Sequence, residues 1–569
     1  MTGRSQIPWL LAATWAWFPL LVAPVAAAPH GAETAAPRAD ELARGTVFED
    51  LDGDGVRDPG EPGLADVRVS DGRAVVLTDA DGRWELPVED EAVVFVTKPS
   101  GFRTALSPHN TPRFYHLHRP EGSPPGLRYP GIPPTGPLPE AIDFPLVRQE
   151  EPSVFEALLF ADPQPQSDAE LDFIRVDVLD GLVGTDAAFG MTLGDILFDD
   201  LSLFERSAAL VGQLGIPWYH VPGNHDMNLL AGDDRHSLET FQRHFGPPYY
   251  AFEYGDALFV VLDNIEYNGH GQSDPGDVRG AGGYIANLGA RQRGWLEQEL
   301  SHVPRETLVV LAMHAPLATY AAPEALGTNT QDRRELFALL AGRPNLYAVA
   351  GHTHTTEHHH FGEADGFPGP GTFHHHVLTT VSGSWWSGPL DARGVPTTVQ
   401  RDGTPNGYHV LEVDGAAATV RFQAAGAPAD HQMRILLDVH HHGLRKDLAR
   451  DHRPGELFDG RLRASAVPHT DVLVNLFDGG PRSTVRFRVD DGPWTVAERV
   501  ARQDPHVLEV VARNRDTVKD WVSVVPSSHI WVGGLPEDLG PGVATLTVEA
   551  TDEFGRVHHG HMILEVTGG

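Results

Sequence analysis

The 569-residue chain contains no cysteine. That single absence excludes disulfides, thiolate metal sites, a cysteine nucleophile and a lipid-modified cysteine anchor. Positive charge is scarce too: 43 Lys and Arg stand against 78 Asp and Glu, for a formal net charge of -35. Such a chain repels a phosphate backbone or an anionic membrane, so no nucleic-acid partner is expected. An anionic substrate would need local positive charge, for which bound metal ions are the obvious source. Long apolar runs are missing, with one exception. Arg4 is followed by an apolar run from Ile7 to Val25 and then by small residues through Ala27. This reads as a secretory signal peptide over residues 1–27, so the mature protein is expected to be exported, periplasmic or extracellular. An uncleaved anchor is the alternative, because the run is nearly long enough to span a bilayer. No later segment is apolar enough, so no integral membrane segment is expected after cleavage.

What is present organises the chain into several domains, since 41% hydrophobic content over this length exceeds one core. Residues 28–43, rich in Ala and Pro, read as a linker. From 44 to 105, alternating runs such as Val67-Arg68-Val69 and Val93-Val94-Phe95-Val96 lie between Gly and Asp turns, the pattern of a small β-sandwich. Residues 106–151 include the Pro- and Gly-rich stretch Pro120 to Pro139 and read as a connection. From 152 to 408, short apolar runs end repeatedly at polar residues: Phe155 to Phe160 before Asp162, Phe189 to Leu193 before Asp195, and Trp218 to Val221 before Asn224. Leu258 to Leu262 before Asp263, Leu308 to Met313 before His314 and Leu346 to Ala350 before His352 follow the same rule. Leu171, Ile174, Val178 and Leu182 are spaced as on a helix between the first two. Strands alternating with helices predict an α/β domain, with ligands at the carboxyl ends of the strands. From 409 to 569, runs such as Ala417 to Phe422, Val472 to Phe477, Thr484 to Val489, Val507 to Val511 and Ala544 to Val548 predict a second β-sandwich.

The polar residues at the strand ends carry chemistry. Asp162 and Gln164 are two apart, so a strand end or tight turn can aim both at one point. Asp195, and the pair Asn224 and His225, each follow a glycine. His314 ends a buried strand, and His352 and His354 repeat the two-residue spacing after Gly351. Carboxylate, amide oxygen and imidazole together suit Mn, Fe or Zn, with Mg also accepted, and single out none of them. The 31 His include the runs His358 to His360, His374 to His376 and His440 to His442, read as packed or solvated loops, with metal binding as the alternative.

The ordered set Asp162-Pro163-Gln164, Gly194-Asp195 with Asp199, Gly223-Asn224-His225-Asp226, His314 and Gly351-His352-Thr353-His354 resembles the calcineurin-like metallophosphoesterases. Gly194 through Asp200, Gly383-Ser384-Trp385-Trp386 and Arg401 through Tyr408 resemble a bacterial exported subgroup, in which β domains flank the catalytic domain on both sides. The resemblance implies two β-sheets sandwiched by helices in four layers (αββα), between an N-terminal small β-sandwich and a C-terminal β-sandwich. It also implies two transition metals, the first held by Asp162, Gln164, Asp195 and His354. The second takes Asp195, Asn224, His314 and His352, so Asp195 bridges. Many members have His where Gln164 stands, and an amide oxygen is a weaker ligand than imidazole. His225 is then the non-ligand imidazole near the leaving group, oriented by Asp226 through its other ring nitrogen. Asp199 and Asp200 also admit a plainer reading, as loop caps or as acceptors behind the metal ligands, and Asp200 is read that way. The implied reaction is hydrolysis of a small phosphate mono- or diester by in-line attack of a hydroxide that bridges the metals. The Gly- and Asp-rich stretch from Glu266 to Tyr284 is read as a loop over the rim. The Trp385-Trp386 pair and Arg401 are read either as substrate contacts or as core and structural ion pair.

A second metal signal lies at Asp50, Asp52, Asp54, Val56, Asp58 and Glu61, positions one, three, five, seven, nine and twelve of a calcium loop with Gly55 at position six. β-like runs flank it rather than the helices of an EF-hand. Calcium there would replace the missing disulfides as a staple of the N-terminal domain. The alternative for the whole chain is a calcium-stabilised surface or adhesion protein with a non-catalytic α/β domain. Protein partners are not legible in the sequence.

Overall fold

Alternation along one strand reveals the layering of the central domain. In the computed structural model, Phe155, Ala157 and Leu159 of strand Val154–Phe160 join one hydrophobic core, while Leu158 and Phe160 join another. A strand apolar on both faces must be covered on both. One face meets a second sheet; the other meets helices Asp168–Asp177, Phe204–Val211 and Glu239–Phe245, which supply Leu171, Ile174, Phe204 and Phe241. Helices Gly289–Ser301 and Arg333–Leu340 cover the second sheet with Trp295, Leu296, Leu336 and Phe337. The result is the four-layer αββα arrangement. Residues 41–271, 283–440 and 457–568 are described. The segment read as a signal peptide and most of that read as a linker, residues 272–282 of the expected rim loop, and His441 and His442 lie outside them. Among the described residues, no helix is long and apolar enough to cross a membrane.

The first central sheet runs in the order Trp218–Val221, Phe189–Leu193, Val154–Phe160, Gly407–Asp414, Ala417–Ala424, with the first three strands parallel. The second runs Tyr250–Tyr254, Ala257–Val261, Leu308–Ala312, Leu346–Ala350, Phe373–Val377, Glu357–Phe361, parallel in the middle and antiparallel at both edges. Aromatic rings join the sheets: Phe189 packs edge-on against Phe252 and Phe259 at 5.3 and 5.0 Å, and Tyr219 stacks on Phe252 at 3.8 Å. Burying each such side chain contributes about 1.5–3 kcal/mol. In both sheets the parallel strands run the same way, so their carboxyl ends form one rim.

The flanking domains are sandwiches, with boundaries other than the local patterns suggest. In the N-terminal one, strands Arg83–Val88, Glu41–Glu49, Phe144–Arg148, Phe102–Leu106 and Pro112–Arg113 form one sheet, and Val75–Leu77, Arg68–Ser70, Ala92–Val96 and Tyr115–His118 the other. Phe144–Arg148 pairs in parallel with Val47–Glu49, so this sandwich extends through the segment 106–151 that reads locally as a connection. Charged side chains dock it on the central domain: Arg68 pairs with Glu253 and, at 3.1 Å, with Glu299, and Lys98 Nζ, paired with Glu151 at 2.7 Å, donates to the Glu253 carbonyl oxygen at 2.5 Å. Burial pulls the pKa of Lys98 below the usual lysine value, against the pull of Glu151 and Glu253.

The C-terminal sandwich places Met433–Val439, Thr470–Leu476, Ser527–Gly534 and Glu498–Arg502 over a five-stranded sheet that includes Thr484–Val489, Gly542–Thr551 and Val557–Thr567. It begins later than the sequence reading has it, because Gly407–Asp414 and Ala417–Ala424 complete the first central sheet. Val507 to Val511 is not a strand. It lies in helix Pro505–Arg513, started by the Asp504 side chain, which accepts from the His506 N–H at 2.7 Å, and by Pro505 in the first turn. The runs His358 to His360 and His374 to His376 are not loops either, but paired antiparallel strands.

Candidate metal centre

Every donor predicted from the strand ends reaches the same rim, and the backbone there is strained. Eight of the eleven non-glycine residues with positive φ among the described residues are Asp162, Gln164, Asp195, Asp199, His352, His354, Trp385 and Trp386. Left-handed backbone at side chains of this size is uncommon and clusters where function over-determines geometry. Glycines let the loops close on one another. A Cβ at Gly194, where φ is +80°, would stand 2.4 Å from His314 Nδ1, and one at Gly351 would stand 2.1 Å from Asp162 Oδ2. Asp162, Gln164, Asp195, His314 and His354 are almost wholly buried, and Asn224 is buried as well.

The donors converge without enough protons to serve them. His314 Nδ1 lies 2.9 Å from the Leu193 carbonyl oxygen, an acceptor only, so this nitrogen donates and Nε2 faces inward. Around Nε2 stand Asn224 Oδ1 at 3.0 Å, His352 Nδ1 at 3.1 Å and Asp195 Oδ1 at 3.2 Å. A single N–H there serves only one of the three. His354 donates from Nδ1 to the Gly383 carbonyl oxygen at 2.5 Å, leaving Nε2 buried with no hydrogen-bond partner, 3.7 Å from Asp162 Oδ1. Gln164 donates to Asp195 Oδ2, and its own Oε1 is buried and unpartnered. Orphaned buried polar atoms are costly, and a cation at their focus would satisfy them all.

The electrostatics agree. Burial pushes Asp162 up to about 7, against the charge of His314. For Asp195, burial is outweighed by His314 and His225, which hold its carboxyl well below the ordinary range. His314 rises to about 9, because Asp195 and Asp162 overcome the burial that opposes its charge. Burial drives His352 and His354 down to about 3, so both are neutral imidazoles, the ligating form. Protons thus take the place that divalent cations would hold. Carboxylate, amide and neutral imidazole fit Mn, Fe or Zn.

His225 differs from the sequence reading in its partner. Its Nδ1 is bonded to Asp199 Oδ1 at 2.7 Å, not to Asp226. Asp226 is fully buried and accepts N–H bonds from Gly223, Ile196 and Leu197 at 2.9, 3.1 and 3.2 Å, tying two motif loops together. The reason is direction. Asp226 follows His225 in a tight turn, and its oxygens are consumed by one N–H of that turn and two of the Asp195 loop, while Asp199 arrives from a neighbouring loop with φ of +63°. Burial lowers the pKa of His225, but Asp195 and the Asp199 hydrogen bond outweigh it and hold the ring above its usual value. Asp200 is a cap, accepting from Ser202 N at 3.2 Å.

Two connected openings reach the rim. A cavity of about 230 Å³ is lined by Gln164, Asp195, Asn224, His352 and His354 with Tyr284, Trp385 and Arg401. Beside it, a cleft of about 670 Å³ is lined by Arg128, Phe198, Asp199, His225, Trp385 and Trp521. Phe198 stacks on His225 at 4.2 Å and on Trp521 at 5.9 Å, and Trp385 stacks on His354 at 4.0 Å. Trp386, in contrast, is core, with its Nε1 donating to the Pro163 carbonyl oxygen at 2.9 Å. Arg401 is held by Ser523 O and Thr353 O, at 3.0 and 3.3 Å. Phe198 lies within a phrase the sequence reading singled out. Trp521 and Arg128 carry no local signal, since they come from outside the catalytic domain.

At the N-terminal loop, carboxylate oxygens of Asp50, Asp52 and Asp54 lie within 4.8 Å of one another. Glu61 reaches back to accept from Leu51 N at 2.8 Å and Asp58 N at 2.9 Å, closing the twelve-residue loop. Asp52, Asp54, Val56 and Asp58 are exposed, and Asp50 and Glu61 are buried.

Two parallel-centred sheets between helices, with carboxylates, an amide and imidazoles at one rim, make a metallophosphoesterase-type domain. The family comparison agrees along the chain. Residues 52–127 match the model for the N terminal of calcineurin-like phosphoesterase, 168–356 the calcineurin-like phosphoesterase domain itself, and 375–558 its C terminal. The chain belongs to the calcineurin-like phosphoesterases and carries both companion domains. No curated protein matches it. Among solved structures, the purple acid phosphatase PPD1 from yellow lupin (Lupinus luteus) seeds is 14% identical, with 68% of this chain and 72% of that one covered and a TM-score of 0.34. The spore cortex lytic enzyme SleM of Clostridium perfringens is 11% identical, with coverage of 74% and 100% and a TM-score of 0.14. Likeness at these scores is too slight to carry an argument.

Proposed function

We propose that this phosphoesterase is an exported enzyme that hydrolyses a phosphate mono- or diester at two transition metals. The observation that carries the reading is the convergence of buried acceptors with too few protons, above all the unpartnered His354 Nε2 and Gln164 Oε1. Asp162, Gln164, Asp195 and His354 would hold one metal, and Asp195, Asn224, His314 and His352 the other. When bound, the metals would neutralise phosphoryl oxygens and acidify a water at neutral pH. The chain's own residues do the rest. Arg401 at the cavity wall adds positive charge for the phosphoryl oxygens. His225, with Nδ1 occupied by Asp199, presents Nε2 as the proton donor to the leaving oxygen. Reconstitution of stripped protein with Mn, Fe, Zn or Mg, assayed on mono- and diester panels, tests the reading. No hydrolysis with any metal would favour the non-catalytic surface protein instead.

The cleft on the His225 side supports a planar, aromatic leaving group, because Phe198, Trp385 and Trp521 supply ring faces there. Trp521 is 50% exposed, so its removal leaves the core intact. Trp521→Ala is expected to raise KM for an aryl or nucleoside ester about 10-fold, from a stacking contribution of about 1–3 kcal/mol. KM for a small alkyl phosphate should not change; equal effects on both substrates would remove the cleft from substrate recognition.

Calcium is proposed for the loop Asp50 to Glu61 as a staple of the N-terminal sandwich. Calcium added to chelator-stripped full-length protein is expected to raise the unfolding temperature of that sandwich, where magnesium does not. A doubly substituted Asp52→Ala, Asp54→Ala chain should lose the calcium response. A wild-type chain indifferent to calcium would end the proposal.

A further inference from the structure

A second set of buried ligand-type side chains gathers where the central sheets meet the C-terminal sandwich. His358 and His376 are directly opposed on the antiparallel strands Glu357–Phe361 and Phe373–Val377, with rings stacked at 3.9 Å. His409 comes from Gly407–Asp414 in the other central sheet, and Asp478 follows strand Thr470–Leu476 of the C-terminal sandwich. The three imidazoles are 0% exposed and Asp478 only 6%. Nε2 of His376, His358 and His409 lie 2.8, 3.2 and 3.6 Å from one atom, Asp478 Oδ1.

Hydrogen bonding alone accounts poorly for this focus. One carboxylate oxygen has two lone pairs for three imidazoles, and His409 Nε2 has no hydrogen-bond partner although it is wholly buried. The outward nitrogens of the other two rings have partners of their own. His376 Nδ1 meets Tyr347 Oη at 3.0 Å, and His358 Nδ1 meets His374 Nε2 at 3.0 Å. Such contacts orient ligand imidazoles and aim Nε2 at the focus. Donors around a tetrahedral cation at about 2.0–2.1 Å stand about 3.3–3.4 Å apart; the three distances to Asp478 Oδ1 bracket that value.

We propose that His358, His376 and Asp478, whose ligand atoms all lie within 4.8 Å of one another, form with His409 as the more distant fourth ligand a structural binding site for a divalent transition metal of the zinc type, distinct from the rim centre. With His409 drawn in, three nitrogens and one oxygen, closed from solvent, would make a four-coordinate set with no open position, the mark of a structural rather than a catalytic site. Burial lowers His376 to about 3, so it is held as the neutral, ligating imidazole. At His358, Asp478 outweighs burial and raises the pKa, so a proton is the ion's competitor there. The ligands come from both central sheets and from the C-terminal sandwich. One ion therefore clamps three elements distant in sequence, in a chain without cysteine to do so.

The test is the zinc content of full-length protein reconstituted with zinc(II) and freed of loose metal. Asp478→Asn is expected to hold one equivalent fewer than wild type, and equal contents overturn the proposal. Should that variant not fold, wild-type crystals diffracted on both sides of the zinc edge decide it. An anomalous peak between the three Nε2 atoms and Asp478 Oδ1 is expected; bare density there means the imidazoles share protons alone.

Discussion

Asp195→Ala is expected to abolish phosphoester hydrolysis and to lower the content of rim metals, in a chain that still folds. The Asp195 side chain touches residues of both proposed donor sets. Its Oδ1 accepts from the His225 N–H at 2.9 Å and faces His314 Nε2 at 3.2 Å, while Oδ2 accepts from Gln164. Removing it takes the shared anion from both donor sets and leaves the wholly buried His314 among neutral acceptors. A buried group deprived of its charge partner rearranges or changes protonation rather than keeping its geometry. The fold does not depend on it, since both sheets are held by the aromatic core beneath the rim. Metal analysis, a thermal melt and assays on mono- and diesters check the expectation together. Full activity in a folded Asp195→Ala protein would dismiss the rim as the catalytic centre.

His225→Ala is expected to do something different: metals are retained and kcat falls by about 10²–10⁴, the range for a positioned proton donor. The loss should be largest with an alkyl alcohol as leaving group and small with a nitrophenol, which departs without a proton. Its ring is placed by Asp199 on one nitrogen and by stacking on Phe198, and the proposed metal set does not use it. Asp199→Asn sharpens the case through pH. Asp199 raises the His225 pKa, so the protonated donor persists to higher pH in wild type. Without that carboxylate the pKa drops, and the alkaline fall of the rate should move to lower pH. A profile unmoved by Asp199→Asn, or metal loss in His225→Ala, would assign the ring to structure instead.

Much of this was legible before any fold was known, because strand ends announce themselves. A buried parallel strand is a short apolar run, and the first polar residue after it must lie at the sheet's rim. Asp162, Asp195, Asn224, His314 and His352 follow that rule, each within a few residues of its strand. The pairing of His225 with Asp199 did not follow, because adjacency favours Asp226 and only loop direction shows that its oxygens are spent on backbone N–H groups. The segment 507–511 misled for a related reason. Val507-Leu508-Glu509-Val510-Val511 is apolar enough for either state, and the Asp504 cap with Pro505 decides for a helix. Similarly, 409–424 reads as sandwich strand by composition, yet Gly407–Asp414 pairs with Val154–Phe160, more than 240 residues away.

The sequence by itself determined the kind of chemistry: which side chains carry lone pairs, that glycines precede them, that positive charge is scarce, and that no disulfide holds the domains. These are properties of residues and their near neighbours. Tertiary structure alone decided partnership. Only folding brings Trp521 from the C-terminal sandwich and Arg128 from the N-terminal side to the cleft beside His225, and only folding turns three scattered imidazoles toward Asp478. Contacts of that kind depend on which strands pair across hundreds of residues, and no local pattern encodes that pairing.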